Sequence, residues 1–225
     1  MAEAIESVLK QTRLPDEVIV LDDASTDNAA AVAQRYPVVY IRNKHNLGTV
    51  ANLNQGIAMA NGDYVMSLDA DNRLQPDYLA KTAAVLDECP AVAIAYTGMA
   101  LFGPYAGEIY HRQPAWQAGQ GGEFYWWRVP EFNLRRLKWG NYIHGSSLFR
   151  KIAYVQVGGY PNTKAEDWQL WKKITQLGWQ AKLVPECLLE YRQHSPEQRN
   201  LASRSSSLSW LKLTSKIILA KFKLF

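Results

Sequence analysis

The first hundred residues alternate between short apolar runs rich in β-branched residues and longer segments with a helical pattern. This alternation is typical of βαβ units, in which helices cover the faces of a parallel sheet. The predicted strands are residues 17–21, 38–41, 63–68 and 92–96, and helices are predicted at about 25–36, at 49–60 and from Pro76 onward. The sequence therefore predicts an α/β fold with a mostly parallel sheet flanked by helices.

The regular pattern is interrupted over residues 98–139, where glycine, proline and aromatic residues are concentrated. We interpret this stretch as an irregular excursion from the sheet. Regularity returns with a strand predicted at residues 146–149, a helix at 167–177 and a strand at 181–184. The chain has 225 residues, 48% of them hydrophobic, which suits one large domain. We predict that this domain covers residues 1–198.

Residues 199–225 are predicted to form a basic, amphipathic tail. They contain six basic residues and no acidic one: Arg199, Arg204, Lys212, Lys216, Lys221 and Lys223. Because the net charge of the whole chain is +4, the remainder carries −2. The apolar residues between the lysines suit a helix lying on an anionic membrane surface. A last helix packed on the domain explains the same pattern, and both interpretations stay open.

The composition excludes several classes of protein. The two cysteines, Cys89 and Cys187, lie far apart without metal-ligand spacing, which favours a reducing, cytoplasmic setting, with the inner face of the membrane as the place for any tail contact. No run approaches the roughly 20 apolar residues that span a bilayer. The body has no basic run interleaved with aromatic residues, so we predict no nucleic-acid partner.

Acidic residues directly follow two predicted strands, as Asp22-Asp23 and as Asp69-Ala70-Asp71. Ligands of open parallel sheets bind beyond the carboxyl ends of the strands. No glycine-rich phosphate loop follows any strand, and carboxylates repel a diphosphate unless a divalent cation lies between them. The pattern therefore indicates Mg²⁺ or Mn²⁺ bridging to phosphate oxygens. Aspartates that only form turns are the alternative, and it is stronger for Asp22-Asp23 alone.

Six segments of the chain share a specific pattern: AIESVLKQ, VLDDASTD, NLGTVANLNQGIAMANGDYVMSLDADN, QPDYL, HGSSLFRKIAYVQVGGYP and AEDWQLWKKITQLGWQAKLVPECLLEYRQH. In these segments the chain resembles family 2 glycosyltransferases of the GT-A fold. The resemblance extends over residues 2–194 except for the excursion, in matching order and spacing. It implies a Rossmann-like sheet and an enzyme that transfers a sugar from a nucleotide diphosphate to a saccharide, lipid-linked or other hydroxyl acceptor. Inversion at the anomeric carbon, metal assistance and a role in polysaccharide or cell-envelope biosynthesis are also implied.

The resemblance assigns residues that bind the donor. Asp23 matches the position that accepts a hydrogen bond from the imide N–H of the base, which favours a UDP- or dTDP-linked sugar. Asn46 and Gly48 match the NxG segment of the family. Asp69 matches the first acid of the DxD motif, which is expected near the ribose or the metal.

The resemblance also assigns the metal ligands. Asp71 matches the acid of the DxD motif that binds the cation, with Asp69 beside it. His194 lies where some enzymes of this fold place a histidine on the metal or the diphosphate. A solvated histidine in a loop is the alternative for His194.

A catalytic pair is implied at Glu166-Asp167, in which Asp167 takes the proton of the acceptor hydroxyl. Acidic residues at a helix N-terminus also complement the helix dipole, which is the alternative interpretation of this pair. In the excursion, Trp126 and Trp127 are predicted to stack on the acceptor sugar. A loop that buries its own aromatic residues is the alternative there.

Family members begin with an apolar strand of the type VSVIIPTYN, whereas this sequence begins at the following helix. We expect a truncated domain in which the neighbouring strands expose their edges. The leading hypothesis is an active glycosyltransferase. The alternative is a remnant that binds a sugar nucleotide without turnover, and a nucleotidyltransferase with a similar sheet is a weaker third hypothesis.

Overall fold

The computed structural model describes residues 1–110, 116–118, 124–195 and 216–220. Its helices are α1 (Ala2–Leu9), α2 (Ala29–Ala33), α3 (Thr49–Met59), α4 (Tyr78–Glu88), α5 (Ala106–Tyr110), α6 (Leu134–Trp139), α7 (Lys151–Gln156) and α8 (Glu166–Gln176). Its strands are β1 (Glu17–Asp22), β2 (Val39–Arg42), β3 (Tyr64–Asp69), β4 (Arg73–Leu74), β5 (Val92–Phe102), β6 (Trp116–Ala118), β7 (Tyr125–Trp127), β8 (Leu148–Arg150), β9 (Gln180–Arg192) and β10 (Lys216–Ala220).

All these strands belong to a single sheet with the central order β2-β1-β10-β3-β8-β5-β7-β6, and β9 joins β5 and β4. Strands β1, β2, β3, β5 and β9 run in one direction. Because β10 and β8 run the opposite way between them, only β1–β2 and β5–β9 are parallel neighbours among the described strands. The α/β class is confirmed, with a mixed rather than a mostly parallel sheet.

Helices cover both faces of the sheet, as its alternating side chains require. In β1, Val18 and Val20 pack in one buried cluster with helices α1 and α4, while Ile19 and Leu21 pack in a second cluster. The second cluster contains residues of α3, α7 and α8, including the fully buried Trp171. Both faces of the centre of the sheet are therefore buried.

The structure corrects the prediction of a helical tail. Residues Lys216–Ala220 form β10, which lies between β1 and β3 and pairs antiparallel with both. Lys216 is opposite Leu21 on one side and Asp69 on the other. The edges of β1 and β3 that were expected to be exposed are thus paired, and these five residues are not part of a helix on a membrane surface. The rest of the tail lies outside the described residues.

Parts of the excursion are also more regular than predicted. Strand β5 continues to Phe102, and all of its residues are buried. Strand β7 pairs with Met99–Leu101 of β5, and α6 follows it. Strands β5 and β7 are far apart in sequence, so the local sequence pattern did not predict that they pair.

Candidate active site

The carboxylate of Asp23 organises the loop that precedes α3. Its Oδ1 accepts hydrogen bonds from the backbone N–H of Leu47 and from Nδ2 of Asn43, both at 2.8 Å. Its Oδ2 accepts from the backbone N–H of Gly48 at 2.8 Å, and Asn46 Nδ2 lies 3.4 Å from the Asp23 carbonyl oxygen. The structure therefore brings together the predicted residues Asp23, Asn46 and Gly48. The side chain of Asp23 is itself completely buried.

The neighbouring Asp22 has a structural role. Its Oδ1 accepts from the backbone N–H of Ser25 at 2.7 Å, and its Oδ2 accepts from the hydroxyl of Tyr40. Burial and the hydrogen bond to Asp22 raise the pKa of Tyr40 to about 12. Ala24, which lies between Asp22 and Ser25 in this turn, adopts a left-handed conformation with φ of 63°. The turn-forming interpretation therefore describes Asp22.

The predicted DxD turn is hydrogen-bonded to the end of β9. Asn72 accepts from the backbone N–H of Arg192 at 3.0 Å and donates to Asp69 Oδ2 at 3.3 Å. Arg192 Nε donates to the Asp71 carbonyl oxygen at 3.0 Å. Two residues further along, His194 Nε2 lies 2.7 Å from Asp71 Oδ2.

Asp71 and His194 carry oxygen and nitrogen atoms of the kinds that bind divalent cations, and in this structure they form a hydrogen bond to each other. Their side chains are 22% and 28% exposed, so both reach solvent. Cis ligands of an octahedral Mg²⁺ at about 2.1 Å from the ion are about 3 Å apart, close to the separation of these two atoms. In the described parts of the chain, no group of three His, Cys, Asp or Glu residues is gathered for a metal. The structure therefore brings together two of the three predicted ligands, while Asp69 bonds to Asn72.

Asp167 lies in the first turn of α8. Its Oδ1 accepts from the backbone N–H of Trp168 at 2.7 Å, and its Oδ2 accepts from Asn141 Nδ2 at 3.1 Å. Burial raises the pKa of Asp167 above its ordinary value, and the charge of Glu166 adds to this effect, whereas the two hydrogen bonds oppose it. Ala165, just before the pair, is left-handed with φ of 56°.

Asp167 is also placed at the carboxyl end of β3. A Cβ added to Gly145 would lie 3.5 Å from Asp167 Oδ2, and the Gly145 carbonyl oxygen accepts from Ser67 Oγ at 3.4 Å. Ser67 lies on β3 two residues before Asp69. The predicted base and the DxD turn therefore lie at the same end of one strand.

A model of "Glycosyl transferase family 2" matches residues 1–158 of this chain. The chain belongs to glycosyl transferase family 2. The putative glycosyltransferase EpsE of Bacillus subtilis is 30% identical over 205 residues, which cover 87% of this chain and 69% of that protein. The amylovoran biosynthesis glycosyltransferase AmsE of Erwinia amylovora is 25% identical over 198 residues, which cover 85% of this chain and 70% of that protein.

Solved structures share the fold of this glycosyltransferase. The structure of TarS 1–349 from S. aureus has a TM-score of 0.63 and 19% identity, with 89% of this chain and 60% of that chain covered. The mannosyltransferase PcManGT from Pyrobaculum calidifontis, in complex with GDP-Man and Mn²⁺, has a TM-score of 0.62 and 20% identity, with 90% and 56% covered. The GT-A fold is confirmed, and this chain spans only part of both solved chains.

The predicted acceptor aromatics of the glycosyltransferase lie on β7. Trp126 stacks on Phe124 with ring centroids 5.9 Å apart. Trp127 is half-buried and packs against both hydrophobic clusters. Trp127 therefore has a structural role in the core. Trp126 precedes it in the same strand.

Sequence reasoning missed three polar residues that the structure shows in or near the predicted site. Asn141 bonds to Asp167, and Asn54 of α3 bonds to the backbone N–H and carbonyl of Tyr160 at 2.9 and 3.0 Å. His144, next to Gly145 in the chain, is buried, with Nε2 3.4 Å from Thr97 Oγ1. Polar residues in loops carry no periodic signal, so only the fold reveals these contacts.

Proposed function

We propose that this glycosyltransferase transfers a sugar from a nucleoside diphosphate to an acceptor hydroxyl with inversion, using Asp167 as the base. The observation that supports this proposal best is the placement of the Asp167 carboxylate. It is held by two N–H donors at the same end of β3 as the Asp71–His194 pair. An in-line displacement needs a base on one side of the anomeric carbon and a site for the charged diphosphate on the other side.

Asp167 has the properties that such a base needs. Burial raises the pKa of Asp167, and a higher pKa makes a carboxylate a better proton acceptor. The acceptor hydroxyl loses its proton to Asp167 as its oxygen attacks the anomeric carbon, while the bond from that carbon to the diphosphate oxygen breaks and the nucleoside diphosphate leaves with the bonding electrons. Asn141 and Trp168 hold the two carboxylate oxygens during this step.

We further propose that Mg²⁺ or Mn²⁺ binds at Asp71 and His194, with Asp69 close to the ribose or the ion. When bound, such an ion supplies positive charge that stabilises a leaving diphosphate. The Mn²⁺ in the PcManGT structure supports this proposal by likeness of fold. The spacing of the Asp71 and His194 atoms supports it from this chain.

The proposed donor is a UDP- or dTDP-linked sugar. Asp23 Oδ2 accepts one hydrogen bond from the protein, so it retains the capacity to accept an imide N–H. Because Asp23 is buried, this contact requires the loop at Asn46–Gly48 to move aside.

The acceptor is proposed to be a saccharide, lipid-linked or other hydroxyl compound that stacks on Trp126. The name of the Erwinia relative supports polysaccharide synthesis, and a cytoplasmic location is part of the proposal.

Asp167→Asn tests the proposal, because it removes basicity and keeps the size of the side chain. We expect turnover to fall by roughly 10² to 10⁴, with donor affinity nearly unchanged. The measurement is release of nucleoside diphosphate from a panel of nucleotide sugars with Mn²⁺, with binding measured in parallel.

Asp63→Asn is the matched control, because Asp63 is exposed at the opposite end of β3. Near-parental turnover by Asp167→Asn would remove Asp167 from the mechanism and direct attention to Glu166. Donor binding by the parent without any turnover would instead favour a binding protein.

A further inference from the structure

Asn141 makes the direct side-chain contact to the proposed base. It is an exposed residue in the loop between α6 and β8, and its Nδ2 donates to Asp167 Oδ2 at 3.1 Å. Its own Oδ1 accepts from the backbone N–H of Ile143 at 3.3 Å. Because Ile143 takes the oxygen, the amide presents its N–H group to the carboxylate.

The loop that carries Asn141 is attached to α8 on both sides of this residue. The indole of Trp168 donates to the Leu137 carbonyl oxygen at 2.6 Å, and the indole of Trp171 donates to the Ile143 carbonyl oxygen at 3.1 Å. Both indoles lie on the helix that begins with Glu166-Asp167. The distance between Asn141 and Asp167 is therefore fixed by two further hydrogen bonds.

The two donors to Asp167 come from different parts of the chain. The backbone N–H of Trp168 belongs to the same helix and restrains Oδ1, whereas Asn141 restrains Oδ2 from across the site. One donor alone allows the carboxylate to rotate about its Cβ–Cγ bond. Two donors on two oxygens define its plane and leave the other lone pairs of both oxygens for a substrate.

Several groups around Asp167 change its pKa, and the hydrogen bond from Asn141 is one of them. Burial raises the pKa of Asp167, and the charge of Glu166 on the same helix adds to this, while the hydrogen bonds from Trp168 and Asn141 lower it. In the loop before α8, burial raises the pKa of the Tyr160 phenol, and the charges of Asp167 and Glu166 add to this effect. Gly145 also lies next to the Asp167 carboxylate and has no titratable side chain.

We propose that Asn141 is a positioning residue of the transfer reaction, which holds the Asp167 carboxylate in the plane and charge state that accept the proton. This proposal rests on the proposed function, in which Asp167 is the base. The hydrogen bonds described for Asn141 join it to Asp167 and Ile143, so we expect it to act on turnover and not on donor binding.

The experiment compares the parent with Asn141→Ala, Asn141→Asp and Asp167→Asn. Asn61→Ala is the matched control, since Asn61 is an exposed asparagine that donates to a carboxylate, Glu17 Oε1, at 3.3 Å away from the site. Release of nucleoside diphosphate with Mn²⁺ is measured against pH, together with KM for the nucleotide sugar. The pKa of the Asp167 carboxyl is measured separately by ¹³C NMR, with its signal assigned by its loss in Asp167→Asn.

For Asn141→Ala we expect kcat to fall about 10- to 100-fold, with KM for the donor unchanged. The acid limb of the pH profile and the NMR pKa of Asp167 should both move to higher pH, because a donor to the charged form is lost. Asn141→Asp should move both further, since it adds a like charge. Asn61→Ala should change neither.

An unchanged pH profile and kcat in Asn141→Ala, with Asp167→Asn inactive, would overturn the positioning role while the proposed function stands. Parental turnover by Asp167→Asn would overturn the proposed function itself. If turnover is too slow to measure, an NMR pKa of Asp167 that is equal in the parent and Asn141→Ala overturns the positioning role.

Discussion

At the scale of single residues, backbone strain lies next to the acidic pairs. Ala24 and Ala165 are the only residues other than glycine with positive φ in the described parts of the chain. Ala24 follows Asp22-Asp23, and Ala165 precedes Glu166-Asp167. A left-handed alanine costs about 1–2 kcal/mol, and such strain tends to persist at functional sites. The hydrogen bond from the Ser25 N–H to Asp22 spans Ala24, and the Ala165 carbonyl oxygen accepts from the backbone N–H of Gln169 at 3.1 Å.

The buried His144 predicts a pH dependence of stability. Burial lowers its pKa from 6.5 to about 3, so the folded protein keeps it neutral while the unfolded chain protonates it. Because the pKa of His144 is lower in the folded state, its contribution to the free energy of unfolding is complete above pH 6.5. This contribution is lost as the pH falls towards 3. The free energy of unfolding should therefore fall by about 1.4 kcal/mol per pH unit in this window from His144 alone.

Urea unfolding between pH 7 and pH 4 measures this dependence. His144→Gln should remove the slope that belongs to His144, whatever its effect on absolute stability. His45→Gln is the control, because His45 is exposed and should leave the slope as in the parent. Equal slopes in the parent and His144→Gln would contradict the prediction.

At the scale of elements, β10 connects two strands that carry the site. It makes antiparallel ladders with β1, which ends at Asp22, and with β3, which ends at Asp69. A five-residue strand at the centre of a sheet pairs its backbone groups on both sides. Without it, β1 and β3 present unpaired edges, which destabilise the fold and template aggregation.

We expect a chain that ends at Ser195 to be destabilised by a large fraction of a typical folding free energy of about 5–15 kcal/mol. It should also aggregate, because the edges of β1 and β3 are exposed. Urea unfolding and light scattering measure these effects. Deletion of residues 221–225 alone is the control, since it keeps β10. A chain ending at Ser195 that is as stable and monodisperse as the parent would contradict the placement of β10.

At the scale of the whole molecule, the site collects residues from along the whole chain. The loop at Asn46–Gly48, the DxD turn, the end of β9 and the start of α8 are brought together by the sheet. Among the described residues, no helix is both long and apolar enough to cross a membrane. Because a ligand that binds only the folded state stabilises it, binding of a donor should raise the stability of the entire domain.

Thermal unfolding with Mn²⁺ and nucleoside diphosphates tests the proposed donor class. At 100 times its Kd, a ligand adds about 2.7 kcal/mol, which corresponds to roughly 5–10 °C in Tm for a domain of this size. UDP or dTDP should give this shift, and Asp23→Asn should reduce it, because an amide cannot offer two acceptor oxygens. A larger shift with GDP than with UDP or dTDP would contradict the proposed base contact through Asp23.

The sequence alone determined the α/β class, the order of most elements and the acidic residues at the ends of β1 and β3. These features depend on periodicity and on turns a few residues long, which are local. The burial of Asp23, the contact of His194 with Asp71 across 123 residues and the bond from Asn141 to Asp167 were decided by the tertiary structure. So was the position of β10 in the sheet. The physical reason is that burial and hydrogen-bond partners depend on segments far apart in the chain, which local patterns do not specify.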